Sequence, residues 1–475
     1  MDPRTTPWNR RDLLQLAGAG FGALAANALL QTESAAAQPL GQRQPHHKAK
    51  ARSIIWLFMN GGQSQVDTWD YKPELIKRDG QTLDGFDPKT GFFPGSVGPL
   101  MRSPFDWMQH GQSGSWASSL FPNLAKQVDR MAFIHSMHTE SNNHSPALFM
   151  MNTGVTRMGN PSVGSWINYG LGSGSADLPA FIVMSDPKDR GLPKGNASNW
   201  TAGFLPAVYQ GTWLNPKGEA IANLKPNKEM TPDRQRRQLD LFARLNQASS
   251  NNLPHSPELD ARLQSFELAF RMQSAAPEAF DLSQEPKHIR DLYGLDDPAC
   301  AHIASQCLTA RRLVERGTRF IQIYSGGMDN QLSWDCHRDL VGNHSGFAKE
   351  TDQPFAALLQ DLHQRGLLEE TLVVCGGEFG RLPISQKGDK PGRDHNPHAF
   401  TVWLAGGGIK GGTHYGETDE LGNRAAINKV SIRDFHATLL HALGLDHEQL
   451  VFPFQGLDQR LTGVEKARII RDVFI

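Results

Sequence analysis

The stretch from Glu378 to His398 concentrates side chains that can bind a metal ion or an anion. It follows an apolar run, Thr371–Cys375, and two glycines that allow the backbone to turn tightly. Carboxylate and imidazole groups suit zinc, manganese or calcium, and guanidinium groups complement an oxyanion. The alternative interpretation is a polar surface loop with incidental histidines. The candidates in this stretch are Glu378, Arg381, Arg393, Asp394, His395 and His398.

A second candidate site follows another apolar run, Arg319–Tyr324, and again begins with two glycines. Its side chains are Asp335 and His337, with one residue between them. In an extended segment this spacing points both side chains the same way, as two ligands of one metal ion require. A purely structural Asp-His pair is the alternative.

A third candidate site lies at His144 and Ser145, just before Pro146. A serine followed by proline is typical of a helix start, where free backbone N–H groups can hold an anion. Ser145 is therefore a candidate nucleophile, with His144 as its acid or base. The alternatives are a simple N-cap for the serine and a surface histidine beside it.

These candidates need elements that bring them together, and several apolar runs read as strands. Strands alternate with helical segments, which predicts a doubly wound α/β fold with a large, mostly parallel central sheet flanked by helices. In such sheets ligands bind at the carboxyl ends of the strands. Residues 230–280 are predicted to form a helical insertion that covers the site. The runs are Ser53–Met59, Met131–Ile134, Ala180–Met184, Arg319–Tyr324, Thr371–Cys375 and Phe400–Leu404.

Composition and missing motifs exclude several classes of function. The 475 residues include 48 Lys+Arg and 49 Asp+Glu, so the charges nearly cancel and no nucleic-acid partner is indicated. There is no G-x-S-x-G elbow and no P-loop, which argues against an esterase or a nucleotide kinase. No G-x-G-x-x-G follows the first predicted strand, which argues against a dinucleotide site.

The N-terminus is typical of a twin-arginine export signal. Arg10 and Arg11 precede a mildly apolar stretch, Leu13–Leu30, and a small-residue cleavage signal, Ala35–Ala37. A membrane anchor is the alternative, but the stretch is weakly apolar and contains Asn27. We expect a periplasmic or extracytoplasmic protein without a stable membrane span. The predicted parts are a signal peptide at 1–37, a linker at 38–50 and one domain at 51–475.

Several longer motifs resemble the DUF1501 family, exported bacterial proteins of unknown function that are common in planctomycetes. They include GGQSQVDTWDYKPEL, HSPALFMMNTG, GGEFGRLP, GRDHNPH and RDFHATLLHALGLDHEQL, and they span most of the chain after the signal. That family is similar in fold to the alkaline phosphatase and sulfatase superfamily. The resemblance implies a large central sheet flanked by helices, with a metal site at the strand ends.

The chain departs from the superfamily pattern at several positions. Superfamily enzymes usually carry a metal-binding Asp directly after the first strand, where this chain has Asn60, with Asp67 further on. His144 stands at the nucleophile position, and Leu148 stands where an Arg is expected. After the late strand Thr371–Cys375, where superfamily enzymes have an Asp-His pair, this chain has Glu378 and Phe379. These departures leave metal binding open and put the usual covalent mechanism in doubt.

We therefore expect a metal-dependent hydrolase of sulfate or phosphate esters, acting on an oxyanion ester such as a sulfated glycan. The alternative is a catalytically degenerate member of the fold that binds a glycan or a protein. In the hydrolase, Ser145 or an activated water attacks, with His144 as acid or base and Arg381 or Arg393 on the oxyanion. The expected ligands of a divalent zinc, manganese or calcium ion are Asp335, His337, Glu378, Asp394, His395 and His398.

Overall fold

The computed structural model describes residues 40–475, apart from 217–218, 222–223, 225–229, 251–256 and 329. The predicted twin-arginine signal lies outside the described residues. Of the predicted linker, residues 40–50 are described, and they lie along the domain. Arg43 and Lys50 donate backbone hydrogen bonds to the carbonyls of Leu171 and Ala442, each at 2.9 Å.

The strands form one large sheet and several small ones. In chain order they are β1 (Ser53–Met59), β2 (Val97–Leu100), β3 (Trp107–His110), β4 (Ser115–Ser118), β5 (Met131–His138), β6 (Phe181–Met184), β7 (Thr212–Leu214), β8 (Phe320–Ser325), β9 (Thr371–Gly376), β10 (Gly380–Gln386), β11 (Arg393–Asn396), β12 (Phe400–Ala405), β13 (Thr413–Tyr415), β14 (Glu417–Thr418), β15 (Ala425–Ile427), β16 (Val430–Ser431), β17 (Phe452–Phe454) and β18 (Leu457–Gln459).

The central sheet has nine strands in the order β13-β5-β12-β9-β1-β8-β6-β7, with β16 also paired to β5. Its strands are parallel except β12, which runs antiparallel to both β5 and β9. Because β5 and β9 are both antiparallel to β12, they run in the same direction, and β9 is parallel to β1. Strand β5 therefore points the same way as β1. The predicted large, mostly parallel sheet is confirmed.

The middle strands are apolar on both faces because both faces are covered. Every residue of β1, β8 and β9 is buried, as expected for parallel strands between two layers. Along β1, Ile55 and Leu57 pack into one core cluster, and Trp56 and Phe58 pack into another on the opposite face. The alternation follows from the period of two in a strand.

Helices cover both faces of this sheet. In chain order they are α1 (Gln65–Thr68), α2 (Pro73–Lys77), α3 (His144–Thr153), α4 (Val163–Leu171), α5 (Pro232–Ser250), α6 (Pro257–Phe280), α7 (Lys287–Tyr293), α8 (Ala301–Glu315), α9 (Leu340–Gln364) and α10 (Ile432–Ala442). Among the described residues, no helix has both the length and the apolar character needed to cross a bilayer.

The stretch expected to hold a helical insertion contains α5 and α6, which pack against each other. Buried Met272, Ala276 and Ala279 of α6 join the core cluster on one face of the sheet. Within the described residues, the packing partners of α6 also include α8, which lies on that face. Helix α6 is therefore part of the layer that covers the sheet.

The stretch after β9, which could have been a polar surface loop, forms two buried strands. Strands β10 and β11 form a buried antiparallel hairpin in which Arg381 lies opposite His395, and β2 adds a third strand. Every residue of β10 and β11 is buried, so the alternative of a polar surface loop is wrong. The sequence conceals this hairpin because its polar side chains are paired inside the protein and do not face water.

Candidate metal centre

The register of the central sheet brings several strand ends to one edge. Met59 at the end of β1 pairs with Ser325 at the end of β8, and Phe58 pairs with Gly376 at the end of β9. The loop after β8 carries Asp335 and His337, and the turn after β9 carries Glu378. Strand β5 runs in the same direction, so the helix that follows it places His144 at this edge.

The carboxylate of Asp335 is the centre of the cluster, and only 1% of the residue is exposed. Its Oδ1 lies 3.0 Å from Nε2 of His337, 3.2 Å from Nε2 of His395 and 2.9 Å from the guanidinium of Arg381. Its Oδ2 lies 2.9 Å from Nε2 of His144. Burial opposes ionisation, but the charge of the Arg381 guanidinium, together with His144, outweighs it and holds the pKa of Asp335 well below its usual range.

The imidazoles of His337 and His395 both turn their Nε2 atoms toward Asp335. Nδ1 of His395 is 2.6 Å from the carbonyl oxygen of Asn142, and Nδ1 of His337 is 2.8 Å from the Gln386 side-chain oxygen. Both oxygens accept, so each Nδ1 donates its proton there, and in the neutral form of each ring the lone pair lies on Nε2. The two Nε2 atoms are 2.9 Å apart.

His144 bridges Asp335 and a second buried carboxylate. Its Nδ1 donates to Oε1 of Glu378 at 2.7 Å, and the N–H of Gly61 donates to the same oxygen at 3.0 Å. Burial lowers the pKa of His144, but the two carboxylates outweigh burial and raise it. Burial and the charge of His144 hold the pKa of His395 well below its usual value. Nε2 of His144 faces Oδ2 of Asp335 at 2.9 Å, so the ring lies between two buried carboxylates.

Asp394 lies on the outer side of the same histidines. Its Oδ2 accepts the N–H of Phe93 at 2.7 Å, its Oδ1 accepts the N–H of His395 at 2.7 Å, and Oδ1 lies 3.7 Å from Nδ1 of His337. In the described part of the chain, two sets of three residues place possible ligand atoms within 4.8 Å of one another. The sets are His144, Asp335 and His395, and His337, Asp394 and His395.

Arg381 and Arg393 are fully buried and held by protein acceptors. The Arg381 guanidinium donates to three backbone carbonyls as well as to Asp335. Arg393 forms two hydrogen bonds with Asp67, at 2.6 and 3.1 Å, and two more with backbone carbonyls. Both guanidiniums therefore tie strand-end loops to the β10–β11 hairpin.

Three other expected site residues lie apart from the two ligand sets. Glu378 is buried and contacts the cluster through His144. Ser145 is half-buried in the first turn of α3, a helix whose N-cap is Asn143. His398 follows β11 with an exposed side chain.

Sequence reasoning missed the groups that orient the imidazoles. The carbonyl of Asn142 fixes His395, and Gln386, at the far end of β10, fixes His337. Neither Asn nor Gln is a typical metal ligand, and neither residue stands at a spacing that links it to these histidines. Gln386 reaches His337 only because the hairpin folds back. No periodicity in the sequence predicts that hairpin.

Residues 51–474 match a family model described as "Protein of unknown function (DUF1501)". The resemblance predicted from the motifs is therefore confirmed. A comparison with curated proteins found no match.

Solved structures similar to this chain include sulfatases and phosphatases. A phosphonate monoester hydrolase from Silicibacter pomeroyi is 9% identical with a TM-score of 0.37, over 90% of this chain and 76% of that one. A sulfatase from Pseudoalteromonas sp. is 14% identical with a TM-score of 0.35, over 94% and 79%. An alkaline phosphatase from the Antarctic bacterium TAB5 is 9% identical with a TM-score of 0.31, over 76% and 92%. At these values the matches carry no residue role, metal or substrate to this chain.

Proposed function

This chain belongs to the DUF1501 family, and we propose that it is a metal-dependent hydrolase of sulfate or phosphate esters. In the proposal the substrate is an oxyanion ester such as a sulfated glycan. The protein is exported through the twin-arginine route and acts outside the cytoplasm. The Arg10-Arg11 pattern and the apolar stretch that follows it support the export step.

One observation carries the metal site. The Nε2 atoms of His337 and His395, which carry lone pairs when the rings are neutral, lie 2.9 Å apart beside one carboxylate oxygen of Asp335. With neutral rings, these three lone-pair groups in a buried space repel one another unless a proton or a cation lies among them. In its neutral form, with Nδ1 donating to Glu378, His144 offers Nε2 as a further donor at the same place. Imidazole and carboxylate donors fit zinc or manganese better than calcium, which prefers oxygen ligands alone.

The chain's own residues would hold the ion and manage the protons around it. Asp335, His337, His395 and His144 supply donor atoms, with Asp394 at their outer side. When bound, a divalent ion polarises an ester oxygen and lowers the pKa of a water molecule. Oε1 of Glu378 accepts the Nδ1 proton of His144 and keeps Nε2 of that ring directed at the cluster.

The arginines have a different role in this proposal from the one first expected. Arg381 offsets the negative charge of Asp335 and ties it to the Gly61–Gly62 turn. Arg393 neutralises Asp67. Because both guanidiniums already satisfy protein acceptors, the substrate oxyanion must be held by the ion and by groups on the open side of the cluster. Ser145, in the first turn of α3, remains one candidate nucleophile, and an activated water molecule is the other.

The test of this proposal is release of sulfate or phosphate from aryl esters by the mature protein loaded with zinc or manganese. Asp335→Asn removes the central carboxylate charge and should abolish turnover. Glu417→Gln, at an exposed position on β14, is the matched control and should leave turnover unchanged. Turnover that survives Asp335→Asn would contradict the proposed site.

The second candidate function is binding without turnover, by a catalytically degenerate member of the fold. It is favoured by Asn60, which replaces a ligand carboxylate after β1 and donates its amide to backbone carbonyls at Gly326 and Gly327. Stoichiometric binding of a sulfated polysaccharide, with no sulfate released from it, would favour this function. Released sulfate would count against it.

A further inference from the structure

A pocket of about 600 Å³ opens beside the candidate metal centre. Its volume lies within the range of small-molecule sites. His337 belongs both to its wall and to the metal cluster, and Gln386, which orients His337, lines it as well. A ligand in this pocket would therefore reach the cluster through the His337 side.

The charged residues of this pocket are both cations. Arg338 and Lys387 line it, and none of its described lining residues is acidic. Both side chains are exposed. Within the described residues, neither cationic group has a hydrogen bond or an ion pair. By contrast, the buried arginines of the cluster satisfy their donors inside the protein.

The remaining wall is apolar and unusually exposed for such residues. Phe93 is 40% exposed and Leu332 is 44% exposed, and both line the pocket. The Phe93 ring packs edge-on against the His337 ring at 4.8 Å between centroids, so the apolar wall adjoins the metal cluster. Sugar rings offer C–H faces that suit an aromatic and aliphatic wall of this kind.

We propose that this pocket binds a second anionic group of the substrate, carried on the sugar that bears the reacting ester. The preferred substrate is then a saccharide with at least two sulfate or phosphate groups. Arg338 and Lys387 contact the non-reacting anion, and Phe93 and Leu332 contact the ring. This inference rests on the proposed function, since it places the reacting ester at the metal cluster.

The test is calorimetric binding of a disaccharide with one sulfate and the same disaccharide with two, to the zinc-loaded protein. A charge-assisted hydrogen bond contributes roughly tenfold in affinity. We expect the disulfated sugar to bind at least about tenfold more tightly. The double variant Arg338→Gln/Lys387→Gln should remove this preference. The variant should fold normally because both side chains are on the surface.

Lys390→Gln is the matched control. Lys390 is close in sequence to Lys387, carries the same charge and does not line the pocket, and its ammonium lies 3.9 Å from the carboxylate of Asp339. It should keep the preference for the disulfated sugar within about twofold of the original protein. A sugar monophosphate and bisphosphate pair, measured in parallel, separates sulfate from phosphate as the preferred anion.

Equal affinity of the original protein for both sugars, or a preference retained in the double variant, would overturn this inference. The outcome is separable from that of the proposed function. If the protein holds no ion yet prefers the disulfated sugar through Arg338 and Lys387, the anion pocket is supported and the proposed hydrolase is contradicted. If the protein holds an ion and releases sulfate without that preference, the proposed hydrolase is supported and the anion pocket is contradicted.

Discussion

His337 and His395 face each other through their Nε2 atoms at 2.9 Å, although each ring donates the proton of its other nitrogen elsewhere. Two neutral rings in this arrangement repel each other. A proton on one of them or a cation between them would relieve the repulsion. The proposed metal centre follows from the second solution.

Glu378→Gln should weaken metal binding by about 10–100-fold, because Glu378 orients His144 from outside the ligand sets. The amide still accepts a hydrogen bond but no longer supplies the charge. The measurement is zinc affinity by competition with a chromophoric chelator. Glu417→Gln at the surface is the control, and equal zinc affinity in the two variants would contradict a role for Glu378.

Gly61→Ala should damage the site, because the glycine has φ of +103° and a Cβ there would lie 2.5 Å from the backbone nitrogen of Asp335. We expect a loss of roughly 2 kcal/mol or more in unfolding free energy, together with weaker metal binding. Gly346→Ala is the matched control, since its Cβ would meet nothing within 4 Å. That change, inside the exposed part of α9, should be neutral or stabilising by up to about 1 kcal/mol. Denaturant unfolding of both variants decides the point.

Arg393→Met should destabilise the protein by about 3–5 kcal/mol, because it leaves the buried carboxylate of Asp67 without its cation. The double variant Asp67→Leu/Arg393→Met should regain much of that loss. As a control, Lys287→Met removes an exposed pair with Asp291 and should cost less than about 1 kcal/mol. A loss for Arg393→Met no larger than for Lys287→Met would contradict the structural role assigned to this arginine.

Stability should fall as the pH falls from about 6.5 toward 4, because several histidines are buried in their neutral form. Burial lowers the pKa of His135 and of His344 to about 3, and that of His436 to about 4. These values lie below the pKa of about 6.5 in the unfolded chain, so the unfolded state binds more protons in this range. Their contribution to stability is fully present above pH 6.5 and is lost on acidification.

Each such histidine adds about 1.4 kcal/mol of unfolding free energy per pH unit to the slope. His436→Gln can keep the hydrogen bond to the Met151 carbonyl and should reduce the slope between pH 6 and 4.5 by about that amount. His288→Gln, at an exposed position, should leave the slope unchanged. Chemical unfolding at several pH values provides the measurement, and equal slopes for the two variants would contradict the assignment.

The strands were predictable where burial on both faces leaves an uninterrupted apolar run. Ser53–Met59 was predicted with the bounds that β1 has, and Thr371–Cys375 differs from β9 by one residue. By contrast, Leu124–Arg130 forms a 3-10 helix, which its sequence does not distinguish from an α-helix. Local periodicity could not separate these two helix types.

The site was predictable as a set of residue types at strand ends, and less so as a geometry. The convergence of Asp335 with His395 depends on the β10–β11 hairpin, whose polar residues are buried. The burial of Arg393 depends on Asp67, which lies far away in sequence. A pattern of local spacing carries no information about such partners, so the arginines appeared available to a substrate.

The most direct measurement is the elemental content of the mature protein, purified after export without added metal. We expect one or two tightly held divalent ions per chain, which are lost in the His337→Ala/His395→Ala variant while its fold persists by circular dichroism. A folded protein without metal, or a double variant that retains it, would contradict the proposed metal centre. The His/Asp cluster would then be a protonated structural network.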